Sequence, residues 1–203
     1  MRDFRSYAPV HKFAILSYMK SLSLTKPHLL VAIGLPGSGK SFFAEKFAET
    51  FGAPYVCEAE IAQQAKDASA CDTLFRLQLE QLLKTGQTIV IDGKAQTRVE
   101  RMALTQKAKK QDYEILLIWI QTDPQTAKSR ALKKNYTTDS FDKETRRFTA
   151  PSNLEKVVVV SGKHTYASQA KVVLKKLTNP RAEISTHTAP PVREPGRRNI
   201  TIR

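Results

Sequence analysis

Leu29-Leu30-Val31-Ala32-Ile33-Gly34-Leu35-Pro36-Gly37-Ser38-Gly39-Lys40-Ser41 is the stretch whose reading decides the fold of this chain. Five consecutive apolar residues read as a strand buried on both faces. They run into a glycine-rich turn, and beyond it Phe43, Phe47 and Phe51 recur every four residues, the spacing of one helix face. Gly52 and Pro54 end that helix. A buried strand, a glycine loop and a helix in this order form the opening unit of a parallel α/β sheet.

The alternation continues downstream. Pro54 to Cys57 reads as a short second strand, and a helix over about 73–84 carries Leu74, Phe75, Leu79, Leu82 and Leu83 up to a stop at Gly86. Thr88-Ile89-Val90-Ile91 is a buried strand that delivers Asp92 at its end. Thr97-Arg98-Val99-Glu100 has the form of a capping box and starts a basic helix running to about Lys110. Ile115 to Ile120 is the most hydrophobic strand. Asp123-Pro124 then places an N-cap before a proline, opening a helix with Arg130, Lys133 and Lys134. Residues 135–151 show no period, Val157 to Val160 is a fifth strand, and Tyr166, Ala170, Val173, Leu174 and Leu177 mark a last helix.

These elements predict a three-layer αβα sandwich around a five-stranded, mainly parallel sheet. Three regions are expected. Residues 1–26 form a helical extension with Val10, Phe13, Ala14, Tyr18 and Leu22 at helical spacing. Residues 27–177 form the main domain, and 178–203 a basic tail with four prolines and the composition of disorder. In parallel sheets ligands bind beyond the C-terminal ends of the strands, where Gly34 and Asp92 both fall.

A length of 203 residues suits one well-buried domain, and 41% hydrophobic with 26% charged residues is ordinary for a globular protein. The longest apolar run, Ile115 to Ile120, is far below the roughly 18 residues of a membrane helix. The opening Met1-Arg2-Asp3-Phe4-Arg5 predicts no secretory signal, and Cys57 and Cys71 form no disulfide framework or metal spacing, so a reducing cytoplasm is expected. The net charge is +14; the segment after Leu177 carries five Arg against two Glu, which leaves +11 on the rest. That surplus suits a polyanion, whether nucleic acid, nucleotide or acidic surface, or serves solubility alone.

Gly34-Leu35-Pro36-Gly37-Ser38-Gly39-Lys40-Ser41 is a Gly-x-x-x-x-Gly-Lys-Ser phosphate-binding loop. Gly34, Gly37 and Gly39 permit backbone conformations and close approach that a Cβ would block, so N–H groups can point inward at phosphate oxygens. The next helix adds its positive N-terminal end. The candidate nucleotide-binding set is Gly34, Leu35, Pro36, Gly37, Ser38, Gly39, Lys40, Ser41 and Phe42. Lys40 would reach the β- and γ-phosphates, and the Ser41 hydroxyl would ligate magnesium with Asp92 holding the ion through water. A nucleoside triphosphate and Mg²⁺ are therefore the expected ligands. No Asn-Lys-x-Asp guanine-reading motif and no Leu-Ser-Gly-Gly-Gln signature occurs, and Asp92 is followed by Gly93 rather than by an acidic residue.

In this loop, in Ile91-Asp92-Gly93, in the helix from Arg98 to Tyr113, in the helix with Arg130 and in Arg146-Arg147-Phe148-Thr149-Ala150-Pro151, the chain resembles the polynucleotide-kinase-like P-loop kinases. This AAA-family, small-kinase group is itself similar to zeta toxins, and the resemblance runs from about Leu29 to Leu177. It implies ATP, Mg²⁺ and transfer of the γ-phosphoryl group to a hydroxyl of a polynucleotide 5′ end, a nucleotide or another small molecule. It also implies a lid over about 128–151, with Arg130, Lys134, Arg146 and Arg147 as phosphate-facing candidates. Relatives carry Ser-x-Asp-x-x-Arg after the second strand, where this chain has Cys57-Glu58-Ala59-Glu60-Ile61-Ala62, and Thr-Asn where it has Lys94-Ala95. Three outcomes stay open: Glu58 or Glu60 supplies the base, the acceptor differs, or transfer is lost and an ATP-binding module for nucleic acid or protein remains. The catalytic candidates are Lys40, Asp92, Arg130 and Glu60.

Overall fold

The computed structural model describes residues 24–134 and 136–178. The helix expected over 9–22, within the 1–26 extension, and the tail beyond Thr178 lie outside the described residues. Five strands, β1 (His28–Ile33), β2 (Tyr55–Cys57), β3 (Ile89–Asp92), β4 (Glu114–Gln121) and β5 (Val157–Ser161), form one sheet in the order β2-β3-β1-β4-β5. Every pairing is parallel. The strands run apolar without alternation because both faces are covered.

One face packs on α1 (Lys40–Phe51) and α7 (Tyr166–Thr178), through Phe43, Phe47, Val173 and Leu177. The other packs on α3 (Ala68–Leu83) and α4 (Arg98–Lys110), through Phe75, Leu79, Leu83 and Leu104. The helix after β1 and the helix after β3 thus lie on opposite faces, although β1 and β3 are neighbours. Their C-terminal ends open a crevice, the switch point at which such sheets bind ligands. Ala32 is in register with Asp92, so the loops after both strands leave the sheet side by side.

Local chemistry accounts for the helix ends. The Thr97 hydroxyl accepts from Glu100 N–H while the Glu100 carboxylate accepts from Thr97 N–H, the expected capping box. Asp123 caps α5 (Pro124–Leu132) by accepting from Thr126 N–H, with Pro124 in the first turn. Two helices depart from the expectation. Helix α2 (Glu58–Gln64) follows β2 directly, and α6 (Thr138–Arg147) occupies the stretch without a period. Phe141 is the buried residue of α6, so no repeat of apolar positions could announce it. Its signals are a Thr137 cap, Asp139 in the first turn and Arg146 and Arg147 in the last, each favourable to the helix dipole. Helix α3 begins earlier than its apolar pattern because Asp67 caps it through Ala70 N–H.

Arg101 of α4 is a fully buried cation. Its guanidinium donates from Nε to Glu155 Oε1 at 2.7 Å, from Nη2 to Glu155 Oε2 at 3.2 Å, and from Nη1 to the Thr149 carbonyl at 2.8 Å. Nη1 also lies within bonding distance of the carbonyls of Ala95 and Gln96. One side chain thereby ties the loop after β3 to the segment before β5. Burial alone would raise the Glu155 carboxyl, but the hydrogen bonds from Arg101 and Ser152 N–H outweigh it and hold it below the usual carboxylate range. A carboxylate depressed in the folded state stabilises above its unfolded pKa, and that contribution is lost as pH falls through the folded value. Glu155→Gln is therefore expected to flatten the acid limb of the stability curve below about pH 4.5. Urea titrations of both proteins between pH 3 and 7 check this, and parallel curves would contradict it.

Candidate functional site

The glycine loop joins β1 to α1. Gly34, Gly37 and Gly39 have φ of 148°, 76° and 101°, all in the region open chiefly to glycine. At Gly37 the constraint is also steric, since a Cβ there would lie 2.1 Å from the Ala127 carbonyl oxygen of α5. Ser38 N–H closes a turn onto the Leu35 carbonyl at 3.1 Å, while the Ser38 hydroxyl is buried without a hydrogen-bond partner. From behind, Thr122 donates to the Ser38 carbonyl at 3.0 Å, and the Gly162 backbone comes so near that a Cβ would be 2.4 Å from that oxygen. The loop is thus fastened by the β4–α5 and β5–α7 connections, two supports that no local pattern shows. Gly39 is the N-cap of α1, Lys40 its first residue and half-buried, and Ser41 and Phe42 are exposed in its first turn.

Beside the loop, Asp92 ends β3 and is 5% exposed. Gly93 follows with φ 128°, and a Cβ there would meet the Glu58 Cβ at 2.3 Å. Glycine at this position makes room for Glu58, the first residue of α2. The Glu58 Oε2 accepts from Lys94 N–H at 2.8 Å and Oε1 pairs with the Lys94 ammonium at 2.9 Å. Asp72 of α3 pairs with the same ammonium. Burial would lower the Lys94 pKa, but the bonds and charges of Asp72 and Glu58 overcome it and push it up. Lys94 is therefore protonated across the physiological range.

Of the two glutamates weighed for the acceptor side, Glu58 is seated against Gly93 and the β3 end, whereas Glu60 is exposed on α2. Ala32, Ile33, Gly34, Lys40, Gly93, Ala95 and Gln96 line a small, partly open cavity of ≈ 10 Å³ between the two loops.

Helices α5 and α6 lean over the opposite side of the glycine loop. Phe141 of α6 packs with Ala127 and Ala131 of α5 and with Leu35 of the loop. Arg130 is exposed and donates to the Gly162 carbonyl at 3.2 Å, in the connection that supports Ser38. Arg147 pairs with Glu100 on α4, and Lys133, Lys134 and Arg146 are exposed. The pKa of the Tyr136 hydroxyl is raised by burial, then by the charge and hydrogen bonding of Glu144 and by the charges of Asp92 and Glu58. Residues that sequence reasoning passed over here are Gln96, Arg101, Tyr136, Glu144 and Glu155. Their one sequence signal is position, in the loop after β3 and in the segments flanking α6.

A family model described as an AAA domain (AAA_33) matches residues 29–151, more than half of the 203. The chain belongs to this family. It is 31% identical over 104 residues to "Putative bifunctional polynucleotide phosphatase/kinase" of Acanthamoeba polyphaga mimivirus, an alignment covering 51% of this chain and 23% of that protein. The chain thus spans about a quarter of that relative's length. Among solved structures it resembles a gluconokinase from Sinorhizobium meliloti 1021, with a TM-score of 0.60 at 16% identity, over 76% of this chain and 93% of that one. An APS kinase of Mycobacterium tuberculosis in complex with AMPPNP and APS gives a TM-score of 0.57 at 15% identity, over 75% and 98%. At these identities the structures establish the fold, that of small P-loop kinases, which agrees with the three-layer architecture expected. The chain is a P-loop member of its family with that fold. Among the described residues no helix is long and apolar enough to cross a membrane.

Proposed function

We propose that the chain is an ATP-dependent kinase that transfers the γ-phosphoryl group to a hydroxyl, with a polynucleotide 5′-hydroxyl as the acceptor of first choice. The observation that carries this reading is the juxtaposition of a three-glycine positive-φ loop, its Lys40 and the buried Asp92 at the switch point of the sheet. Lys40 and the inward N–H groups bind the β- and γ-phosphates, where negative charge spreads as transfer proceeds. The Ser41 hydroxyl and the Asp92 carboxylate are hard oxygen donors that suit Mg²⁺. Among the described residues no cluster of three His, Cys, Asp or Glu side chains forms a self-sufficient metal site. That fits an ion shared with substrate phosphates, and Mg²⁺ supplies charge neutralisation of those oxygens.

On the acceptor side, Glu58 takes the proton from the attacking hydroxyl. Both of its oxygens already accept from Lys94, but a carboxylate has about four lone-pair sites, so capacity remains. Arg130, Lys134 and Arg146 belong to a lid spanning α5 and α6, and the net charge of +14 favours a polyanionic acceptor. A cytoplasmic setting suits two free, buried cysteines. The expected result with γ-labelled ATP, Mg²⁺ and a 5′-hydroxyl oligonucleotide is label on the oligonucleotide. Label recovered only as free phosphate, with nucleotides and small polyols tested as well, would defeat the kinase reading.

A second reading has one observation in its favour. The double engagement of Glu58 by Lys94, with Ala59 and Ala62 where relatives carry Asp and Arg, suits an ATP-binding module that hydrolyses ATP and holds nucleic acid or a protein. It would give ATP-dependent partner affinity without labelled acceptor.

A further inference from the structure

Several features around the β3 end converge on one carboxylate, that of Glu58. Gly93 makes room for it, since a Cβ there would lie 2.3 Å from the Glu58 Cβ. Lys94 takes φ 49°, a left-handed conformation uncommon outside glycine. From that backbone its N–H donates to Glu58 Oε2 at 2.8 Å, while its ammonium meets Oε1 of the same carboxylate at 2.9 Å. Helix α3 adds two contacts. Asp72 pairs with the same ammonium, and Cys71 Sγ donates to the Glu58 carbonyl at 4.0 Å. A lysine side chain is a flexible stem, so a second anion restricts where its charge can sit. One residue therefore grips both oxygens of Glu58. An ion pair alone needs no left-handed backbone, and non-glycine residues held at positive φ cluster at functional sites.

We propose that Lys94 is the positioning residue of Glu58: it fixes the orientation in which that carboxylate receives the acceptor hydroxyl, and Asp72 keeps the ammonium in place. This role rests on the reading of Glu58 as the base. A carboxylate oxygen has two lone pairs, so each keeps one beyond its bond to Lys94. In the step, the acceptor hydroxyl donates its hydrogen to one of these. Its oxygen bonds to the γ-phosphorus, and the bond from that phosphorus to the β–γ bridging oxygen breaks. The electron pair of that bond leaves on ADP, and the hydroxyl hydrogen passes to Glu58 as a proton. A loose phosphoryl-transfer transition state depends on placement above all, so the setting of the carboxylate governs the rate.

The test is a double-mutant cycle on the full chain, with Lys94→Met, Glu58→Gln and the two combined, and with Lys94→Arg as the conservative variant. Assays measure transfer from γ-labelled ATP to a 5′-hydroxyl oligonucleotide and release of phosphate, and calorimetry measures binding of Mg²⁺-ATP. We expect Glu58→Gln to lose about 100-fold in kcat and Lys94→Met at least about 10-fold. Oligonucleotide KM and Mg²⁺-ATP affinity should stay within about 3-fold of the wild type in both, since neither residue is asked to bind substrate. Lys94→Arg should recover part of the loss. In the Glu58→Gln background, Lys94→Met should cost less than about 2-fold, because no base is left to position. A purely structural Lys94 would cost the same in both backgrounds. The pair is partly exposed, 26% and 34%, so the unfolding midpoint of Lys94→Met should move by less than about 4 °C. Should that variant fail to fold, Lys94→Gly takes its place, because glycine suits φ 49° and keeps the N–H bond while removing the ammonium. Additive losses, or unchanged transfer in Lys94→Met, would overturn the role of Lys94 alone. Unchanged transfer in Glu58→Gln would overturn the base reading and the role of Lys94 with it. A wild type that hydrolyses ATP without transfer would sink the hydroxyl-acceptor reading; the same cycle read on hydrolysis then upholds Lys94 if the losses are not additive and overturns it if they are. A wild type that neither transfers nor hydrolyses would overturn both.

Discussion

Lys40→Ala is expected to lower affinity for Mg²⁺-ATP by at least about 10-fold and phosphate transfer or hydrolysis by at least about 100-fold, the scale on which removing one oxyanion donor acts. The reason is placement. Lys40 is the first residue of α1, directly after Gly39 in a left-handed conformation, and it lines the cavity between the glycine loop and Gly93. Stability should hardly change, because Ala is a better helix former than Lys and Lys40 is only half-buried. Loss of binding with an unchanged unfolding midpoint is therefore specific to the ammonium. Equilibrium dialysis with labelled ATP, run beside thermal unfolding, measures both. Affinity within 2-fold of the wild type would show that the ammonium does not face phosphate.

Arg101→Ala is expected to be the most destabilising single change in the described domain. The side chain is 1% exposed and Glu155 16%, so removing the cation leaves a buried carboxylate without its partner. Breaking such a pair from one side costs about 3–5 kcal/mol, and the Thr149 carbonyl loses its donor as well. In a domain of this size that lowers the unfolding midpoint by about 6–20 °C. Arg101→Lys keeps the charge but not the fork that meets both Glu155 oxygens, and should recover only part of the loss. Because the same guanidinium holds the loop bearing Gln96, nucleotide turnover should fall in Arg101→Lys even below its unfolding temperature. Calorimetric scans together with turnover check this, and a shift of less than about 2 °C in Arg101→Ala would contradict the account.

How far these features were legible in the sequence depends on where the determining contacts lie. The five strands, the Thr97–Glu100 capping box and the Asp123-Pro124 helix start are written locally, in apolar runs and in side chains that bond their own backbone, and each was found within a residue or two. The glycine loop was equally plain, since only glycine takes the conformations of Gly34, Gly37 and Gly39 cheaply. What escaped is tertiary. Helix α6 has a single buried residue, Phe141, and gains its place from α5 and Leu35 rather than from its own pattern. Arg101 sits in a helix with Arg98, Lys107, Lys109 and Lys110, and nothing in that run distinguishes the one cation that is buried. Glu58 and Glu60 are two residues apart, and which of them meets Gly93 depends on where β2 ends and α2 begins. Gln96 has no motif at all; its backbone carbonyl is held by Thr149 N–H and Arg101, partners distant in sequence.

The most direct measurement is isothermal titration of the intact chain with magnesium and a non-hydrolysable ATP analogue. A single saturable site with affinity in the micromolar range, abolished by omitting magnesium or weakened at least about 10-fold in Lys40→Ala, is the result expected if the loop amides and the Lys40 ammonium hold the triphosphate oxygens. No heat and no saturation up to millimolar ligand, with folded protein confirmed in the cell, would contradict it.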